Sequence, residues 1–450
     1  MTEKKAPPLF DELKKDFLQS DDLVQTQLQI KGQFAFLFYL KSVVDGDKLQ
    51  QTVIRPFFEM SSEESFTSYI QSLPNQYDVP YKNKLLLMLS AGYILIVIEE
   101  NMFLLDLRLV QNSDVQDTML EPTIHGPQLA LSENLEVTIN LIRQRYHKSS
   151  LKIEDIIPAD QTNRAVTLLY DNDRADPDIV KRVRDRIKEI DAPLFQSAGD
   201  LQHLINNGKR NLFPSTLITE RPDRIVYNLN GGKVIIAIDG SPNVIIAPAI
   251  FFDFMSSMED NYHVFGITSF TILLRYIGMF ICIFLPSLYV AMTSYNPDIL
   301  RIELALTVAG GRIGVPYPSF IEVLFMLFFM ELLTEASMRL PKAVSATATT
   351  VGGLILGTAA TEAALTSTIM IIVISAVAIS TFVIPINEMS FAMRIIRLAL
   401  LIYTTLFGMV GLLIGLIGIV MILANKESFG VPYLRIPWMN KNEELRMDNR

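Results

Sequence analysis

The sequence predicts an α/β soluble head of two subdomains followed by an α-helical transmembrane bundle. The charge pattern breaks once, near Gly266. Before it no apolar run is long enough to cross a bilayer; after it come apolar runs at 272–293, 320–333, 366–384 and 398–424. A hydrocarbon core of about 30 Å takes about 20 helical residues to span. The second observation is that strand-length apolar runs alternate with helix-period segments upstream of the break, as in an α/β fold. The third is composition: 50% hydrophobic and 19% charged residues average over two unlike halves. The expected organisation is a flexible segment over 1–30, α/β subdomains over 31–150 and 151–266, helices over 267–425 and a cytoplasmic tail over 426–450.

In the first subdomain, 34–44 reads as a strand, Asp45-Gly46 as a turn and 48–60 as a helix. The runs 85–89, 93–99 and 103–109 read as strands separated by turn residues. Leu135, Ile139, Ile142 and Tyr146 recur at helical spacing over 133–147, with Ser132 placed to cap. In the second subdomain 165–170 is a strand, and Asp176-Pro177 opens a helix that turns Ile179, Val183, Ile187 and Ile190 inward. The segments 225–229, 234–238 and 244–247 read as short strands joined by Asn-Gly-Gly and Asp-Gly-Ser-Pro turns. Glu220, Arg221, Asp223 and Arg224 surround Pro222; they suit either an ion-pair network tying the head to a neighbour or to the membrane-proximal surface, or an ordinary surface loop.

The motifs for common chemistries are missing from the sequence: no phosphate loop, dinucleotide fingerprint, HExxH or CxxC. The four histidines lack metal-ligand spacing, and the single cysteine, Cys282, sits in an apolar run. No basic stripe with interleaved aromatics marks a nucleic-acid surface. The expectation is a protein that is not an enzyme, with no catalytic, cofactor or metal residues.

The helical half carries its information in polar residues. Arg275 stands where it can snorkel to headgroups, Pro286 kinks the first span, and 296–317 suits an interfacial amphipathic segment. Glu322, Glu331, Glu335 and Arg339 lie in the next helix, where charges are costly unless they face water or a partner. As one helix, 345–384 would be about 60 Å long, twice a bilayer core, so it must break. Gly353 and Gly357 form a small-residue face for close helix approach, and Gly411 and Gly415 repeat it in the last span. The face with Thr347, Thr350, Val351, Leu354, Thr358 and Glu362 suits a pore wall with an apolar gate; ordinary bundle packing accounts for the same residues. Basic residues around 339–342 and in the tail favour a cytoplasmic head with four crossings. That leaves Arg394 and Arg397 outside; a five-span version brings them in and expels the tail.

From 34 to 424 the sequence resembles the A subunit of GerA-type spore germination receptors. The matching stretches are HGPQLALSENLEVTINLIRQR, FPSTLITERPDRI, GGKVIIAIDGSPNVIIAP, PSLYVA, GVPYPSFIEVL, ELLTEASMRLP and VGGLILGTAA, in order and spacing. The resemblance implies a multi-pass protein of the spore inner membrane with its head towards the spore core. It implies a homo-oligomer forming a ligand-gated ion channel, working with a transporter-like B subunit that senses germinant and a lipoprotein C subunit. Departures from the family pattern fall at His125, Leu327, Thr334, Ser337 and Thr358. An accessory paralogue acting with the dipicolinate-release machinery, a solute transporter and a non-conducting scaffold are the alternative readings.

Overall fold

A computed structural model describes residues 7–18, 20–30, 33–99, 101–109, 118, 120–156, 166–190, 195–206 and 211–435. The chain forms two compact units. One comprises Met1–Asn211, Ser215–Ala249 and Ser428–Val431, and the other Leu212–Pro214, Ile250–Glu427 and Pro432–Arg450.

The first unit is the α/β head. Strands β1 (Leu23–Ile30), β2 (Gln33–Leu40), β3 (Gln76–Tyr77), β4 (Tyr93–Ile98) and β5 (Asn101–Asp106) make an antiparallel sheet in the order β1-β2-β4-β5-β3. Its register pairs Leu37 with Ile96 and Phe36 with Val97. Alternate residues therefore feed opposite faces, and both faces are covered. Leu37, Ile94, Ile96 and Leu105 pack with Val53, Phe57, Phe66 and Ile70. Phe36, Phe38, Leu95, Val97 and Leu104 pack with Phe10, Leu13, Phe17, Leu85 and Leu89.

Two sequence expectations change here. The described part of 1–30 is not a loose leader: helix Pro8–Asp16 buries Phe10 and Leu13, and β1 supplies a full strand; residues 1–6 lie outside the described residues. The 85–89 run is helical, within Lys82–Ser90, because Leu85 and Leu89 at i, i+4 seat one face on the sheet. A continuous apolar run does not distinguish strand from helix by period alone.

The second sheet joins β6 (Leu151–Ile156), β7 (Val166–Asp171), β8 (Leu217–Thr219), β9 (Val234–Ile238) and β10 (Val244–Ala247) in the order β6-β7-β9-β10-β8. That is the connectivity of the first sheet used a second time. Helix Pro177–Lys188 begins at Asp176, whose carboxylate accepts from Asp178 N, and buries Val180, Val183 and Ile187. The segment 225–229 is helical rather than extended: Pro222 occupies the first turn of helix Pro222–Asn230, where its missing N–H costs nothing. Helix Leu135–Arg143 is capped by Asn134, not Ser132; Ser132 instead accepts from Asn134 N and from the Thr138 hydroxyl. Arg143, fully buried, ends this helix on Asp22, which also accepts from Ser20 and Ser42.

The second unit is helical: Phe265–Val290, Ile302–Arg312, Ser319–Arg339, Lys342–Glu362, Thr368–Phe382 and Asn387–Asn425. Among the described residues two segments, Phe265–Tyr295 and Asn387–Asn425, are by length and composition long and apolar enough to cross a membrane. The runs expected to span at 320–333 and 366–384 lie in a 21-residue helix with four charged residues and a 15-residue helix. Their core gathers Tyr289, Val323, Leu327, Met370, Ile374, Val377 and Leu401. The long 345–384 stretch breaks between Glu362 and Thr368, where Ala364 has φ 53°.

Candidate functional site

The helical unit brings together the polar residues singled out in the sequence, in three groups. In helix Lys342–Glu362, Thr347, Thr350, Val351, Leu354, Thr358 and Glu362 are exposed, Leu354 to 67%. Thr358 Oγ1 donates to Leu354 O at 3.0 Å, so that hydroxyl is satisfied by its own helix. On the other side Gly352 and Gly353 approach Leu333: a Cβ at Gly352 would stand 3.2 Å from Leu333 Cδ1. Around Gly357 a Cβ would meet nothing within 4 Å. The small-residue face is thus half used within the chain.

The charged residues are paired rather than strung along one stripe. Glu322 is buried, and its Oε1 accepts from Thr366 Oγ1 at 3.1 Å and from Ser367 N and Oγ at 2.7 Å each. Ser367 caps helix Thr368–Phe382, so the carboxylate sits where orphan N–H groups and the helix dipole favour negative charge. Arg312 Nε stands 3.3 Å from Glu322 Oε2. Glu331 accepts from Arg394 Nη1 at 3.1 Å and from Arg397 Nη2. Glu335 and Arg339 pair at 2.6 Å on an exposed surface. Arg275, expected at the headgroups, forks instead onto Asp260, with Nη2 to Oδ1 at 2.7 Å. Arg312, Arg394 and Arg397 were missed as partners. The available signal was the count of acids in these helices, each needing a cation.

The last helix is broken. Gly408 has φ 63° and ψ −141°, inside the left-handed half of backbone space that favours glycine. The two parts fold back on each other: a Cβ at Gly411 would collide with Tyr403 O, and one at Gly415 would lie 2.5 Å from Leu400 Cδ1. Gly411 and Gly415 therefore serve close packing, but against the preceding half of their own segment. Tyr295 covers the break; its hydroxyl donates to Thr405 O, and its ring lies 3.0 Å from where a Gly408 Cβ would be.

In the head, the four charges around Pro222 turn inward. Arg221 is fully buried; its Nη1 donates to Glu121 O at 2.8 Å and Thr123 Oγ1 at 2.9 Å, while its Nη2 bonds Asp223 at 2.7 Å. Arg224 pairs with Glu121, and Glu220 accepts from the backbone of Leu120 and, through its carbonyl, of Leu131. The network clamps 120–131 of the head itself, in place of the expected neighbour or membrane surface. At the far edge of the second sheet, on β6, burial would push the Glu154 carboxyl up, but Arg184 forks onto it at 2.6 and 2.7 Å and holds it below the usual range. Burial and the Glu154 charge push Tyr170 up to about 12.

Comparison with known proteins bears on the family of the chain. Residues 11–447 match the family described as Bacillus/Clostridium GerA spore germination protein. Spore germination protein GerLA of Bacillus cereus is 31% identical over 433 residues, covering 94% of this chain and 88% of that one. Spore germination protein B1 of Bacillus subtilis (strain 168) is 31% identical over 438 residues, covering 95% and 90%. A crystal structure of the N-terminal domain of the A subunit of the Bacillus megaterium spore germinant receptor GerK3 aligns with TM-score 0.42 and 23% identity, covering 54% of this chain and 94% of that domain. The resemblance carried by the sequence motifs holds across nearly the whole length, and the chain belongs to the GerA family of spore germination proteins.

Proposed function

We propose that this chain is the A subunit of a nutrient germinant receptor in the spore inner membrane, with its head on the spore-core side. Copies of the chain assemble around an axis lined by helix Lys342–Glu362 and open an ion path when germinant binds. A transporter-like B subunit senses the germinant and a lipoprotein C subunit completes the receptor. Family membership and two helices able to cross a bilayer support the setting.

The observation that carries the channel reading is the uncovered helix. Val351 is 49% and Leu354 67% exposed, one turn apart with Thr347, Thr350 and Thr358, while open space surrounds Gly357. In this reading Gly357 admits a second copy, and the threonine face meets water with Val351 and Leu354 as an apolar constriction. The test is ion release from spores carrying Val351→Ala, Leu354→Ala or Leu354→Ser. The first two widen the constriction and alter the rate or threshold of release. Normal release from all three at normal chain levels removes the pore assignment.

A further inference from the structure

Three arginines of the helical unit each have a carboxylate of their own, and two others share one. Arg275 has Asp260, Arg312 has Glu322 and Arg339 has Glu335. Arg394 and Arg397, by contrast, share the single carboxylate of Glu331. The Arg397 side chain is fully buried and that of Arg394 is 15% exposed. Both Nε atoms are enclosed without an acceptor among the described residues. The third neighbour of Arg397 is the Cys282 sulfur, a weak acceptor 3.7 Å from Nη1. One surplus positive charge thus sits in a low-dielectric helical core, where an uncompensated ion is costly. The cluster is not sealed: Glu331 is 28% exposed, and Arg394 lies over the Phe391 ring at 4.6 Å beside the exposed Ile395.

We propose that this cluster is completed by a carboxylate from a membrane helix of a different polypeptide, docked along the face bearing Glu331, Phe391 and Ile395. The proposal rests on the reading that the helical unit spans a membrane. Depth selects the occupant. Glu331 lies eight residues before the end of Ser319–Arg339 and Arg394 seven after the start of Asn387–Asn425. At 1.5 Å per residue each is about 10 Å inside its helix end, short of where headgroup phosphates lie. A second copy of this chain fits poorly. Helices Ser319–Arg339 and Lys342–Glu362 run antiparallel with Leu333 against Gly352 and Gly353, which sets Glu362 near the level of Glu322. Copies arranged about an axis along the membrane normal keep equal levels, so Glu362 of a neighbour stays about 13 Å from the cluster. Glu335, the exposed acid one turn beyond Glu331, already holds Arg339.

The test uses the full chain co-expressed with its membrane partners and a photo-crosslinking amino acid at position 395. Irradiation is expected to join the chain to a second polypeptide at a helix containing Asp or Glu. Neutralising that acid, or Arg394→Gln, should lower the yield about tenfold, while Arg394→Lys retains most of it. Exchanging the charges, Arg394→Asp with the partner acid changed to Arg, should restore it. Crosslinks to lipid alone, to another copy of this chain, or a yield indifferent to the charge at 394 overturn the proposal. Ion conductance of the reconstituted wild-type chain, measured separately, reports on the channel reading and does not depend on the docking partner.

Discussion

Asp22 shows what one carboxylate does when it is fully committed. It takes hydrogen bonds from Ser20, Ser42 and the buried Arg143, which tie the β1 approach to the end of helix Leu135–Arg143. Removing one member of a buried pair strands the other charge and costs about 3–5 kcal/mol. Asp22→Ala should therefore lower the midpoint of urea unfolding of the purified chain. It should also speed amide exchange in β6, where Ile153 N bonds the Ser20 hydroxyl; unchanged exchange there would refute the assignment. Glu154 gives a pH-dependent counterpart. Its folded pKa is depressed, so its stabilisation is present above the ordinary carboxyl value of about 4.3 and is lost as pH falls through the folded value. Tyr170 has the opposite sense: its raised value contributes fully below about 10 and is lost as pH rises towards about 12. The melting-temperature gap between wild type and Glu154→Gln should be flat near neutrality and close at the acid end. A gap unchanged down to pH about 3 would contradict the pairing.

At the scale of elements, the legible parts were those with one dominant local signal. Asp176-Pro177 fixed a helix start, and the turn residues of the second sheet bracketed β9 and β10. The length of 345–384 forced a break, and the structure has one at 363–367. The run 85–89, whose period was hidden by uniform apolarity, and 225–229, too short to show one, were misassigned because tertiary packing chose the conformation. The glycines of the last helix could not be sorted by sequence either. Gly408, Gly411 and Gly415 have the same spacing logic, yet Gly408 bends the chain and the other two receive the bend. A straight helix would separate residues 400 and 415 by about 22 Å. Cysteines placed at both positions should form a disulfide on mild oxidation, with Leu400→Cys alone as the control. Failure to crosslink in a well-expressed double variant would mean an unbroken rod. Gly411→Leu in that background should reduce the crosslink strongly, since its side chain would enter the space of Tyr403 O.

At the scale of the whole molecule, the two-part plan was readable because hydropathy changes once. The duplicated strand order was not, since the two sheets share connectivity without a matching residue period. The partners of Glu331 were hidden for a related reason. They lie 63 and 66 residues downstream, and an arginine pair in an apolar run reads as a loop until a carboxylate is found for it. The tail carries a further consequence. Ser428–Val431 belongs to the head: the Ser428 hydroxyl donates to Ser215 O and accepts from Ala249 N, and Arg182 holds Phe429 O. A chain that leaves a bilayer's face and later re-enters a folded body on that face has traversed an even number of times. In the proposed membrane setting an odd tally, and with it the five-span version, is thereby ruled out. Membrane-impermeant thiol reagents should label Cys introduced at Glu427 and at Asp239 from one common side, in sealed vesicles of either orientation. Labelling from opposite sides would unfasten the tail from the head.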